Sequence, residues 1–204
     1  RIMPLGDSIT QSNSEHNSWR RPLWFMLVNN GYAVDFVGST TENHEGGPPD
    51  TDFDLDHEGH WGWRADEILD RLPEWAESAQ PDIVLLHLGT NDLFQDETVE
   101  TTVAEIEAII GVLREVNPDV TVLVSLVIPH SRGDRAAIEP LNEVLPELVE
   151  SLDTPESPVL LVDQYTGFDP DEDTFDRVHP NESGENKMAR VWFEALVPLL
   201  EDFE

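Results

Sequence analysis

The sequence predicts an α/β fold, a three-layer α/β/α sandwich around a five-stranded parallel sheet. Three observations carry that expectation. Five short aliphatic runs occur along the chain, at Ile2 to Leu5, Val34 to Val37, Ile83 to Leu88, Val120 to Ile128 and Val159 to Val162. Longer stretches with apolar residues at helical spacing separate them. Strands alternating with helices in this way form a parallel sheet covered on both faces.

Each element has its own signal. Ile2 to Leu5 is a short buried strand that stops at Gly6. Trp19 to Asn30 follows as a helix, with Leu23, Phe25, Met26 and Leu27 on its apolar face and Gly31 just past its end. Val34 to Val37 is the second strand. Residues 39–63, rich in Gly, Pro and Asp, form an irregular segment read as an active-site loop. Arg64 to Ala79 returns to helix, with Ile68, Leu69 and Leu72 aligned. The third strand is introduced by Pro81-Asp82 and is apolar except for His87. Thr98 to Val116 carries Val103, Ile106, Ile109, Ile110 and Leu113 at helical spacing. A helix interrupted at Pro140 and Pro146 is expected over Ala136 to Leu152, and a closing helix over Glu182 to Leu200. Right-handed crossovers and the flavodoxin-like strand order 2-1-3-4-5 follow, with ligands at the carboxyl ends of the strands. The 204 residues suit one domain, 1–204, with no repeat and no interdomain linker.

Charge narrows the partners. Forty-three acidic against eleven basic residues give a formal net charge of −32, and Lys187 is the only lysine. Such a surface repels nucleic-acid phosphate and anionic lipid, so neither nucleic acid nor membrane is expected as a partner. It also repels itself unless salt screens it, which points to adaptation to strong brine. The chain has no cysteine, so no disulfide or Cys-ligated metal is available. No apolar run approaches the ~20 residues of a membrane span. No signal peptide precedes Arg1, so a secreted or a cytoplasmic protein of a high-salt organism is expected, with any export signal already removed.

Four clusters fall at, or beside, the predicted carboxyl ends of strands. Gly6-Asp7-Ser8 lies where the first strand ends, a place where an α/β fold can present a nucleophile to outward-facing N–H groups. Asp176-Arg177-Val178-His179 puts a carboxylate three residues before a histidine. In one turn that carboxylate can reach Nδ1 and leave Nε2 free to take a serine proton. Gly89-Thr90-Asn91-Asp92 supplies a side-chain amide after the third strand, with Asn91 or Asp92 as a helix N-cap in the structural alternative. Gly59-His60-Trp61-Gly62-Trp63 offers a backbone donor at Gly62 and two indoles, either core anchors or walls of a carbohydrate site.

Together and in this order, the clusters resemble the GDSL/SGNH hydrolase superfamily. Its four blocks correspond to Gly6-Asp7-Ser8, Gly62, Gly89-x-Asn91-Asp92 and Asp176-x-x-His179. The stretches Ile2 to Thr10, Asp35 to Ser39, Asp56 to His60 and His179-Pro180-Asn181 are similar to the carbohydrate esterase group that includes acetyl xylan esterases. One departure is Ser12, where glycine is usual. The resemblance implies a triad of Ser8, His179 and Asp176, and an oxyanion hole from the Ser8 and Gly62 N–H groups and the Asn91 amide. Asp7, Trp61 and Trp63 are its candidate substrate contacts.

The implied substrate is a small-molecule or polysaccharide ester, and the chemistry needs no metal and no organic cofactor. His57 and His60 match no zinc spacing. Asp50, Asp52, Asp54 and Asp56 are read as solvated surface. Fold and triad do not separate sugar deacetylation from lipid or other small-ester hydrolysis, because specificity lives in the pocket. A catalytically silent carbohydrate-binding module is the alternative from another class. Oligomeric state has no signature in the sequence.

Overall fold

The computed structural model describes residues 1–133 and 135–201. The elements, in order, are β1 (Ile2–Gly6), α1 (Ser8–Gln11), α2 (Arg20–Asn29), β2 (Glu58–Gly59), α3 (Ala65–Ala79) and β3 (Ile83–His87). They continue with α4 (Thr90–Phe94), α5 (Val99–Val116), β4 (Thr121–Ser125), α6 (Glu139–Leu152), β5 (Val159–Val162) and α7 (Glu182–Glu201). The five strands form one parallel sheet of order β2-β1-β3-β4-β5, with Leu5 opposite Leu86, Leu86 opposite Val124, and Val124 opposite Leu161.

Alternation within the strands sends successive residues to opposite layers. Met3, Leu5, Val84, Leu86, Val122 and Val124 pack with Ile68 and Leu72 of α3, Ile106 and Ile110 of α5, and Leu141 and Leu145 of α6. Ile2, Ile83, Leu85 and Leu123 pack on the other face with Leu23 and Leu27 of α2 and Met188, Trp192 and Leu196 of α7. Both faces are therefore dry, as the near-continuous apolar strands require.

The edge beside β1 departs from the sequence-based expectation. Val34 to Val37 contributes a single parallel bridge, Ile2 to Phe36, in which Ile2 N–H donates to Asp35 O (2.8 Å) and Val37 N–H to Ile2 O (2.9 Å). The upper half of the edge is taken by Glu58-Gly59, paired with Leu5-Gly6. These two residues carry no hydrophobic pattern. Glu58 is fully buried and accepts from Ser39 N–H (2.7 Å) and Ser39 Oγ (2.7 Å), and it lies 2.6 Å from His60 Nε2. Side-chain polar partners, not apolar burial, fix this strand.

Proline positions also resolve differently. The helix expected from Ala136 begins at Glu139 and continues through Pro146. Pro140 sits in the first turn, where its missing N–H would have had no intrahelical partner.

The irregular 39–63 segment is bound to α1 by Arg20. The fully buried guanidinium donates to Thr10 O (3.1 Å), Gln11 O (3.1 Å), Leu55 O (3.0 Å) and Asn43 Oδ1 (2.8 Å). Burial alone pulls its pKa down to about 9, against the charges of Glu185 and Asp54. Asp50 and Asp52 face Arg21, and Asp54 accepts from the N–H groups of Phe36 and Asp56. Among the described residues, no group of three or more His, Cys, Asp or Glu is disposed to hold a metal ion. No helix among them is long and apolar enough to cross a membrane.

Candidate active site

The site forms where β1, β3 and the loops after β4 and β5 end. At the end of β1 the chain passes so close to β3 that a Cβ on Gly6 would lie 2.2 Å from His87 O. Glycine is required there by contact, not by conformation. Asp7 then caps the short helix α1, its Oδ1 accepting from Ile9 N–H (2.9 Å). Ser8 is the first helical residue, so its N–H belongs to the donors that a helix leaves unpaired.

His179 comes from the loop before α7. Asp176 Oδ1 accepts from the N–H groups of Val178 (3.0 Å) and His179 (2.8 Å), which winds the segment into one turn. Its Oδ2 faces His179 Nδ1 at 2.7 Å, and His179 Nε2 faces Ser8 Oγ at 2.8 Å. An ionised carboxylate can only accept, so Nδ1 carries the proton and Nε2 accepts from the serine hydroxyl. Partial burial raises the Asp176 carboxyl, but the His179 ring and the two N–H groups outweigh it and hold it at about 2. The carboxylate is therefore ionised throughout the neutral range.

Ser8, Gly62, Asn91, Asp176 and His179 line one cleft of about 160 Å³, with Trp61, Phe94, Arg132, Arg135 and Val178 completing its wall. Gly62 has φ of +80° with open space where a Cβ would point, so its backbone reaches the cleft in a conformation that disfavours any side chain. The strap around it is pinned on three sides. Trp61 N–H donates to Gln11 Oε1 (2.7 Å), Gln95 Nε2 to Gly62 O (2.9 Å), and Asn91 Nδ2 to Trp63 O (3.0 Å). An amide has two N–H bonds, so Asn91 keeps a second donor at the cleft.

Several expected contacts lie elsewhere. Asp7 is 0% exposed and cannot touch substrate; burial raises its carboxyl to about 7. Trp63 packs against the core and against the rings of His60 and Trp75, outside the cleft. Trp61 does border the cleft, but it is not a sugar-stacking wall. His179 and His44 lie 4.3 and 4.5 Å from it, near parallel, without ring contact to each other, so each covers one indole face. Asp92 does not cap its own helix; Gly89 occupies that position, and Asp92 Oδ1 accepts from Ala65 N–H at the start of α3 (2.9 Å). Burial raises Asp92 to about 6.

Sequence reasoning missed Gln11 and Gln95, which hold the strap, and the arginines of the cleft wall. The arginines had a signal: two bases four and seven positions after Ile128, in a chain with eleven. Larger hollows of about 450 and 390 Å³ flank α7. Neither includes Ser8, His179 or Asp176, so paired groups rather than volume single out the smaller cleft.

A serine after the first strand, an Asp-His pair before the last helix and an amide after the third strand stand on a sheet with the strand order of the SGNH hydrolase fold. Residues 5–187 match the GDSL-like Lipase/Acylhydrolase family. The chain belongs to that family and is a carboxylic ester hydrolase.

Solved structures similar to the chain include three esterases. A carbohydrate esterase family 3 protein from Talaromyces cellulolyticus is 35% identical, with 98% of each chain covered and a TM-score of 0.87. A family 3 carbohydrate esterase from Clostridium thermocellum is 31% identical, covering 99% of this chain and 97% of that one, with a TM-score of 0.84. A mutant acetyl esterase solved with an acetate ion is 34% identical over 100% of this chain and 99% of its own, with a TM-score of 0.88. A multidomain esterase of Ruminococcus flavefaciens is 28% identical over 96% of this chain. This chain spans 28% of that protein's length.

Proposed function

We propose that the chain hydrolyses acetyl esters on carbohydrate hydroxyls through Ser8, His179 and Asp176. The observation that carries this reading is the unbroken line from Asp176 Oδ2 through the His179 ring to Ser8 Oγ, at 2.7 and 2.8 Å. The small cleft supports a short acyl group, since about 160 Å³ lies below the ~300–1,000 Å³ of ordinary ligand pockets. Likeness to family 3 carbohydrate esterases and to an acetyl esterase supports the substrate class.

In this mechanism His179 Nε2 takes the Ser8 proton as Oγ attacks the ester carbonyl. Asp176 fixes the ring and stabilises the imidazolium. The oxyanion is held by the N–H groups of Ser8 and Gly62 and the Asn91 amide. Loss of one such donor lowers kcat by about 10²–10³. His179 then protonates the departing sugar alkoxide, and water activated by the same ring releases acetate from Ser8. The partner is a polysaccharide or small ester; the negative surface disfavours nucleic acid and anionic membranes.

The decisive assay compares nitrophenyl acetate with nitrophenyl octanoate, followed by acetate release from acetylated xylan, for the wild type and Ser8→Ala. Acetate preference and polymer release, both lost in Ser8→Ala, are expected. Octanoate preference would move the assignment to lipid-like esters, and activity surviving in Ser8→Ala would remove the nucleophile.

The −32 net charge supports a second element, adaptation to high salt. Roughly molar KCl shortens the Debye length to about 3 Å and should raise the melting temperature. A melt insensitive to KCl would overturn this.

A further inference from the structure

His179 lies in the middle of a stack of five rings. Trp61 lies 4.3 Å from it at 18°, and Phe175 5.7 Å from it at 18°. Trp61 therefore stacks closely on the imidazole, while Phe175 lies near-parallel but offset against it. The stack continues outward, with His16 4.3 Å from Phe175 at 7° and His44 4.5 Å from Trp61 at 13°.

Both ring nitrogens of the base are engaged, and two carbon rings lie near-parallel to it. Asp176 holds Nδ1, Ser8 meets Nε2, Trp61 stacks on the ring and Phe175 lies offset beside it. Rotation about the Cβ–Cγ bond would move Nε2 off Ser8 and break the stacking with Trp61. The clamp also acts on charge. An aromatic face attracts a cation, more strongly when water is excluded, and the imidazole becomes a cation when it takes the Ser8 proton.

We propose that Trp61 and Phe175 are positioning residues for His179, fixing its ring plane and favouring its imidazolium. This rests on His179 being the base of the mechanism above. Indole faces covered on both sides have no surface left for a sugar ring, which separates this role from that of a substrate platform.

The other groups facing this assembly are known. Asp176 and the buried Asp7 act on His179 directly, Glu185 lies 4.0 Å from His16, and Glu45 lies 3.9 Å from His44. Arg132 and Arg135 border the same cleft. The variants below leave all of them in place.

The test is the titration of His179 by NMR on histidine-labelled protein, assigned with His179→Gln, together with kcat and KM on nitrophenyl acetate across pH. Phe175→Leu is the critical variant, because Phe175 is 39% exposed and does not line the cleft. Phe175→Leu and Trp61→Leu should each lower the His179 pKa by about half a pH unit or more, as loss of one aromatic face implies. Both should lower kcat, Phe175→Leu should leave KM unchanged, and Trp61→Phe should restore the wild-type titration. An unmoved titration in both leucine variants would overturn the proposal. So would a rise in KM for acetylated xylo-oligosaccharide as the only effect of Trp61→Leu. The titration needs no turnover: a shift in a protein that hydrolyses no ester would keep the clamp and overturn the esterase mechanism instead.

Discussion

Asp176→Asn separates the structural duties of this carboxylate from its chemical one. The two backbone bonds from Val178 and His179 end on Oδ1, and an asparagine oxygen can keep both. The turn should therefore survive, at a stability cost of about 1 kcal/mol for weaker acceptors. The other position changes in kind. Where Oδ2 accepts from His179 Nδ1, the Asn amide would donate, so Nδ1 must give up its hydrogen and Nε2 must carry it. An Nε2–H pointed at Ser8 Oγ cannot take a proton. In serine hydrolases this tautomer change costs about 10⁴ in kcat, close to 5.5 kcal/mol of transition-state stabilisation. The assay is kcat and KM on nitrophenyl acetate near neutral pH, with a melt to verify folding. KM should change little and kcat should collapse. Because the wild-type carboxyl sits at about 2, it remains ionised over the whole assay range, so protonation of Asp176 cannot mimic the variant there. A loss below about tenfold in a folded variant would refute the reasoning and hand the orientation of His179 to the aromatic clamp alone.

Three further outcomes follow from the geometry. Ser12 closes α1 at φ 64° and ψ −177°, a backbone region nearly reserved for glycine, so Ser12→Gly should raise stability by about 1–3 kcal/mol in chemical denaturation; a loss would show that its buried hydroxyl outweighs the strain. Gly6→Ala would press a methyl into His87 O and Thr10 Oγ1, at 2.2 and 2.6 Å, so a melting-temperature drop worth about 3 kcal/mol or more and loss of esterase activity are expected; a silent variant would mean the β1–β3 approach is looser than described. Stability should rise as pH falls from about 8 to about 5.5. Burial raises Asp7, Glu105 and Glu185 to about 7 and Asp92 to about 6, so each folded carboxyl binds its proton more tightly than the unfolded one. Their stabilising contribution is present at low pH and is lost as pH climbs from about 4 towards about 7. Burial lowers His57 and His87, the latter to about 4, and both oppose this below about 6.5, but four carboxyls outnumber two imidazoles. Melting curves that fall or stay flat over that range would contradict the burial of these groups.

The sequence by itself determined the alternation of strands and helices, four of the five strands, and Ser8, Gly62, Asn91, Asp176 and His179 among the residues that meet in the cleft. Apolar periodicity is local and short motifs are contiguous, so both survive without coordinates. Ser8 and Asn91 were legible because each follows the end of a β-run, where a parallel sheet delivers its loops to one side, and His179 because Asp176 stands three residues before it. What only the tertiary structure decided depends on groups far apart in sequence. The edge of the sheet went to Glu58-Gly59, held by Ser39 and His60, in preference to the more strand-like Val34 to Val37. Asp7 proved buried, with Thr90 and Asp92 of α4 and His179 facing its carboxyl, and nothing in the Gly-Asp-Ser tripeptide discloses that. His16, His44, Trp61, Phe175 and His179 lie in four separate segments and become one stack only when the loops converge. Periodicity records which way a residue faces within its own element; which distant ring it meets is set by how those elements pack.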